Sequence, residues 1–398
     1  MKSKTNRLYF VDAMRAWAIL MMLQGHFVDG LLDNAFRDGS HLPYAIWQYF
    51  RGITAPVFFT VSGFIFTYLL IKVPQSGLHN PRVKKGVKRG LQLLFIGYLL
   101  RSNLFGLLSG EIYPSFYLVD VLHCIGLSIL GIIGIYLLTH DKKKFWFPLV
   151  LVAITCLLFV FEPYYKGLSH AYLPQGIANY LTKANGSVFT IFPWFGYASF
   201  GAFLSILFTR YKNFKQLYPV AIVTAATLGV FLIFLSSDVF LALTRLTGIQ
   251  LFADVYFNNY LFIRLGDVFV VFALFMLFRQ FLTNSTVLKI GQSTLSIYII
   301  HFIVLYGSFT GLGLYRFFNH ALTPWVSVLG AIVFMIICTY AALRYEKNKE
   351  RIQLNIATGL RYVWVKTESW QVFTQKLLKS YLFRLRLILL KLFRLAKN

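Results

Sequence analysis

The sequence predicts an all-α polytopic integral membrane protein, with about ten transmembrane helices and both termini cytoplasmic. Composition is the first reason. Of 398 residues, 58% are hydrophobic and 13% charged, with mean hydropathy +0.64. A soluble domain buries a core without reaching such values, whereas a bilayer demands repeated apolar runs of about twenty residues. The second reason is where the charge lies. A net charge of +25 would point to nucleic acid in a soluble chain, but here Lys and Arg sit between apolar runs, so no nucleic-acid partner is expected. The third is the alternation of that charge from one connection to the next.

Ten spans are predicted, near 9–31, 49–71, 89–109, 117–139, 145–162, 187–209, 218–236, 259–281, 290–313 and 324–343. Connections 72–89, 141–144, 210–215 and 279–289 are basic. By contrast, 29–48 carries Asp29, Asp33 and Asp38 against Arg37, and 110–116 carries Glu111 with no Lys or Arg. Connections 163–186 and 237–258 are sparsely charged, and 237–258 reads as an interfacial helix or a poorly marked re-entrant one. Every basic connection falls on one side of a ten-span chain, which puts both termini in the cytoplasm. The basic start (Lys2, Lys4, Arg7) runs into a long apolar stretch without a small-residue cleavage site, so no cleavable signal peptide is expected.

Beyond residue 343 the character changes. Residues 344–398 hold thirteen Lys and Arg interleaved with stretches such as YLFRLRLILLKLFRLAKN. The division is therefore a transmembrane domain over 1–343 and a basic amphipathic cytoplasmic tail over 344–398, lying on anionic lipid. A flexible basic tail is the plainer alternative. Cys124, Cys156 and Cys338 stand singly in apolar segments, so neither a disulfide framework nor a metal site is expected.

The first span, DAMRAWAILMMLQGHFVD from Asp12 to Asp29, organises the rest. Arg15 and His26 are eleven residues apart. That is about three turns and roughly 16 Å of rise, so they share nearly one helix face. Ionisable groups in a membrane helix are costly and face a protein interior or a watery path. The predicted directions of the spans set the depth of the others. His26, His41, Arg51, Asp120, His123, Arg264, Asp267 and His301 all converge on the outer half, while Arg15, Arg89 and the basic 82–88 segment lie inside. Each has a duller reading. A lone His can simply hydrogen-bond a neighbouring helix, Arg51 can snorkel, and Arg264 with Asp267 can form an intrahelical pair that lowers its own insertion cost. Their concentration at one depth is what signals an active site or a substrate pathway.

Arg15-x10-His26, followed by FFTVSGF at 58–64, resembles the transmembrane acyltransferase superfamily. One branch is the acyltransferase-three group, which decorates bacterial surface glycans and carries the Arg-x10-His pattern. The other is similar to heparan-α-glucosaminide N-acetyltransferase, and APVFFTVSGF (55–64), DVLHCIGLSIL (120–130), PWFGYASFGAFLS (193–205) and STLSIYIIHF (293–302) look closer to it. In that branch the functional histidine lies in the first luminal loop, a position that His41 matches best. The two branches thus nominate different residues.

The resemblance implies acyl transfer from acyl-CoA, most simply acetyl-CoA, to a sugar or lipid-linked glycan. The candidate catalytic residues are His26, His41, Asp120, His123 and His301, because a histidine can serve as base or transient acyl carrier near working pH. Arg15, Arg51, Lys84, Lys85, Arg89 and Arg264 are the candidates for holding the donor: the inner collar for its phosphates, Arg51 or Arg264 for the developing oxyanion. The expected partners are membrane lipid, acyl-CoA and a glycan or glycolipid acceptor, with a homodimer left open. A bacterial inner membrane is the expected location. The rival class is a transporter or flippase, since intramembrane Arg, Asp and His also serve substrate pathways. The internal repeats or paired broken helices common in transporters are not evident.

Overall fold

The computed structural model describes residues 8–367 together with 376, 379–381 and 383. The chain forms two compact units, residues 1–343 and 344–398. Most of the tail motif at 381–398 lies outside the described residues.

The first unit is helical throughout. Its main helices are α1 (Tyr9–Leu31), α2 (Leu42–Ile71), α3 (Pro81–Arg101), α4 (Val121–Thr139), α5 (Trp146–Val160), α6 (Ile191–Arg210), α7 (Leu217–Phe234), α8 (Tyr260–Leu277), α9 (Ser285–Gln292), α10 (Thr294–Tyr306) and α11 (Pro324–Lys366, of which 324–343 belong to this unit). Helix is the expected outcome for these runs, since a lipid-facing backbone must satisfy its own hydrogen bonds. Asn80 starts α3 by accepting the Arg82 amide at 2.8 Å, and Asp120 starts α4 by accepting the Val121 amide.

Helices occupy all ten predicted ranges, yet among the described residues six are long and apolar enough to cross a membrane. The bent pair α9–α10, broken by 69°, makes a seventh if counted as one span. The shortfall has physical causes. Asp12, Arg15, Gln24 and His26 dilute α1, Arg82 to Arg89 make the start of α3 basic, and α5 has only 15 residues. The 237–258 region folds as two short helices, Ser236–Thr247 and Gln250–Phe257, joined at Gly248 with φ 68° and packed through Phe240, Leu251 and Val255.

Small residues set how closely the helices approach. At the α2–α6 crossing a Cβ on Gly63 would lie 1.9 Å from the Ala198 carbonyl oxygen, and one on Gly201 would lie 1.8 Å from that of Thr60. Lipid tails are as apolar as Leu, so helices gain little from hiding apolar surface from each other. Close backbone packing through small residues supplies the attraction instead.

Candidate active site

Six elements converge at one end of the first unit. The last two turns of α1 bring His26 and Asp29, and the third turn of α2 brings Arg51. The final residue of α3 is Arg101, the N-cap of α4 is Asp120, and α10 contributes Tyr298 and His301. Past α10, Gly307 (φ 69°) turns the chain into a loop that bonds beside the end of α3. There Phe309 donates to the Ser102 carbonyl at 3.1 Å, and Leu104 donates to the Phe309 carbonyl at 2.8 Å. Together these elements border a 470 Å³ cavity of mixed lining that gathers the polar groups of His26, Asp29, Arg51, Arg101, Asp120 and Tyr306.

His26 Nδ1 lies 3.1 Å from His301 Nε2. One nitrogen of that contact must donate and the other accept, so a single proton is shared across it. His301 is fully buried, and its ring meets Tyr298 edge-on at 4.9 Å. Tyr298 donates its hydroxyl to Asp120 Oδ1 at 2.6 Å, while Arg101 Nη2 stands 3.4 Å from Asp120 Oδ2. Arg101 Nε is buried and makes no hydrogen bond among the described residues. Asp29 is held between Arg37, at 2.8 Å, and Arg51. A buried or half-buried carboxylate paired with guanidinium groups is the arrangement that offsets desolvation.

A second, smaller cavity of 190 Å³ adjoins the first. His26, Arg51, Val188 and Phe189 line both, so they form the wall between them.

The other candidates fall elsewhere. His123 is fully buried, and its Nδ1 accepts the Asp120 amide at 3.1 Å to complete a capping box. It therefore fixes the start of α4, and its ring packs against Tyr98 at 4.4 Å. Asp120 reaches His301 only through Tyr298, one turn earlier on α10. His41 is exposed at the N-cap of α2 and lines a lateral groove of 660 Å³ with Gln24, Trp47 and the first turns of α11. Gln24 and Val28 lie about half a turn around α1 from His26, so His41 and His26 are on opposite sides of that helix. Arg15 donates to Thr294 Oγ1 at 3.0 Å and is 3.7 Å from Asp12. Lys84, Lys85 and Arg89 are exposed on the early turns of α3, and Arg89 is roughly 18 Å of helix away from Arg101. The structure does not gather these cations with His26.

A family model described as an acyltransferase domain matches residues 8–344. The chain belongs to the acyltransferase-three family. The match spans the described residues of the first unit and favours a membrane acyltransferase over a transporter. No curated protein matches the chain.

In this acyltransferase, sequence reading missed Asp29, Arg101 and Tyr298. Arg101 carried a usable signal, a charge inside a predicted apolar span like that of His26. Asp29 looked like a loop charge, and Tyr298 like one aromatic among many. Arg264 plays a structural part. It pairs with Asp267 at 2.9 Å, with side chains 13% and 4% exposed, and its guanidinium lies 4.6 Å from the centre of the Tyr49 ring. The Tyr49 hydroxyl donates to Asp267 at 2.7 Å, which ties α8 to α2. Arg264→Ala would strand a buried carboxylate. We expect a loss of about 3 kcal/mol or more of stability in a detergent unfolding assay, with a smaller fall in kcat than any His26 variant shows.

Proposed function

We propose that the protein transfers an acyl group, acetyl in the simplest case, from cytosolic acyl-CoA to a sugar hydroxyl or amine of a glycan or glycolipid at the outer face. The observation that carries this reading is the His26–His301 contact in the wall of a polar cavity, in a chain of this family. His301 engages Nδ1 of His26, which leaves Nε2 to meet a substrate. For Nε2 to act as base, Nδ1 must hold a proton and donate it to His301 Nε2. The acceptor O–H or N–H then gives its proton to His26 Nε2 as its oxygen or nitrogen attacks the thioester carbonyl. The C–S bond breaks, and the departing thiolate takes up the proton. Imidazolium formed at His26 is steadied by the acceptor nitrogen of His301, and carbonyl charge by Arg51.

The positive-inside pattern supports ten spans with both termini in the cytoplasm of a bacterial inner membrane. In that frame the collar of Arg15, Lys84, Lys85, Lys88 and Arg89 faces the phosphates of CoA, and the tail lies on the anionic leaflet. Finer likeness to the heparan-α-glucosaminide branch would instead make His41 the functional histidine.

The test is label transfer from radiolabelled acetyl-CoA to glucosamine-type acceptors by the purified protein in nanodiscs, beside His26→Ala and His41→Ala. We expect transfer in the parent, its loss in His26→Ala, and no more than a few-fold change in His41→Ala. Loss in His41→Ala alone would move the base to the first loop, and no transfer or CoA release in the parent with any acyl-CoA would end the acyltransferase reading.

A further inference from the structure

The 190 Å³ cavity on the other side of the His26–Arg51 wall differs in chemistry from its neighbour. Besides His26 and Arg51 in the shared wall, it has no ionisable acid or base among its described lining apart from the Tyr260 phenol. Met22, Ala55, Phe58, Phe189 and Trp194 supply much of its surface. Its position follows from the helix directions. Met22 is one turn before His26 on α1, whereas Ala55 and Phe58 are one and two turns after Arg51 on the antiparallel α2. All three therefore lie on the same, deeper side of the wall.

A cavity that gathers the charged groups and one lined mostly by apolar side chains, sharing a single histidine, suit the two halves of an acyl transfer. The sugar's hydroxyls find charged and polar partners in the first, and a hydrocarbon chain finds mostly apolar side chains in the second. We infer that the apolar cavity receives the hydrocarbon of the acyl group and selects short chains of about four to six carbons. This rests on the acyltransferase reading above and names its donor more narrowly. The size argument is direct. An apolar protein cavity of about 150 Å³ takes one benzene, six carbons, so 190 Å³ takes a chain of similar carbon count. The lone methyl of an acetyl group leaves most of it unfilled. Each methylene moved from water into such a site favours binding by a factor of about four.

The experiment is a chain-length series, from acetyl- to decanoyl-CoA, measured as CoA release and acyl transfer by the full chain in nanodiscs. We expect kcat/KM to rise by about fourfold per carbon to an optimum near five carbons and then to fall. Ala55→Leu narrows the cavity and should lower the pentanoyl-to-acetyl ratio at least tenfold, while Phe58→Ala should move the optimum to longer chains. If Ala55→Leu does not fold, Met22→Phe carries the same expectation. A parent that prefers acetyl-CoA, or a profile that neither type of variant moves, overturns the inference and leaves the acyltransferase reading standing. Absence of turnover with every chain overturns both.

Discussion

His26→Ala should lower kcat by about 10²- to 10⁴-fold, the range a positioned general base contributes, while the protein stays folded. The reason lies in the single proton shared between His26 Nδ1 and His301 Nε2 at 3.1 Å. Removing His26 would remove the proposed base itself and leave His301 with no ring to orient. His301→Ala should cost less, because His26 keeps its Nε2 but loses the acceptor that selects its tautomer. His301→Gln can present a carbonyl oxygen in place of the ring nitrogen, and should recover part of that loss. Because the two rings act as one unit, the double variant should be scarcely worse than His26→Ala. Single-turnover rates of all four proteins check this. An activity in His301→Ala equal to the parent's would mean that the contact has no part in the reaction.

Gly201→Ala should prevent the protein from accumulating in folded form. One added methyl group usually costs a core about 1–3 kcal/mol when neighbouring side chains can move. Here the neighbour is the Thr60 carbonyl oxygen of α2, 1.8 Å from the new Cβ, and a backbone inside a helix cannot swing aside. The same helix pair meets again at Gly63 and the Ala198 carbonyl, so α2 and α6 would have to part along both contacts. The loss should therefore reach or exceed the top of that range. Yield after size exclusion, with a thermal unfolding curve in detergent, measures it. A Gly201→Ala protein with parental yield and midpoint would show that the helices do not cross this closely.

The parts of the fold that were legible in the sequence are those written in local composition. Helix α1 matches its predicted limits, and α6, α7 and α8 come close, because apolar runs between charged connections leave the backbone few alternatives. Helix α2 begins at Leu42, earlier than predicted, because the amphipathic turns around Trp47 and Arg51 pack against α1 instead of facing lipid. Helix α10 is only 13 residues long because Gly307 adopts a left-handed conformation, a stop that hydropathy does not register. For the site, helix period was enough to pair Arg15 with His26 on one face. It was silent on distances between helices. That is why His301 and His26 could be assigned to one depth but not to contact, and why His41, close in predicted depth, turned out to lie across α1 from them. Tyr298 and Asp29 become informative only through long-range partners, Asp120 in the first case and Arg51 in the second.

The brevity of α10 bears on how two substrates on opposite sides of a membrane can meet. Thirteen residues of helix are about 20 Å long, against a hydrocarbon core of about 30 Å. At one end α10 meets the 69° bend into α9, and at the other it gives way to the Gly307 loop that rims the polar cavity. The distance along α10 from that bend to that loop is thus about 10 Å less than such a core. In the acyl transfer proposed above, a donor and an acceptor reaching α10 from its two ends would have only that shorter distance to bridge, and His26 lines the cavity at its loop end.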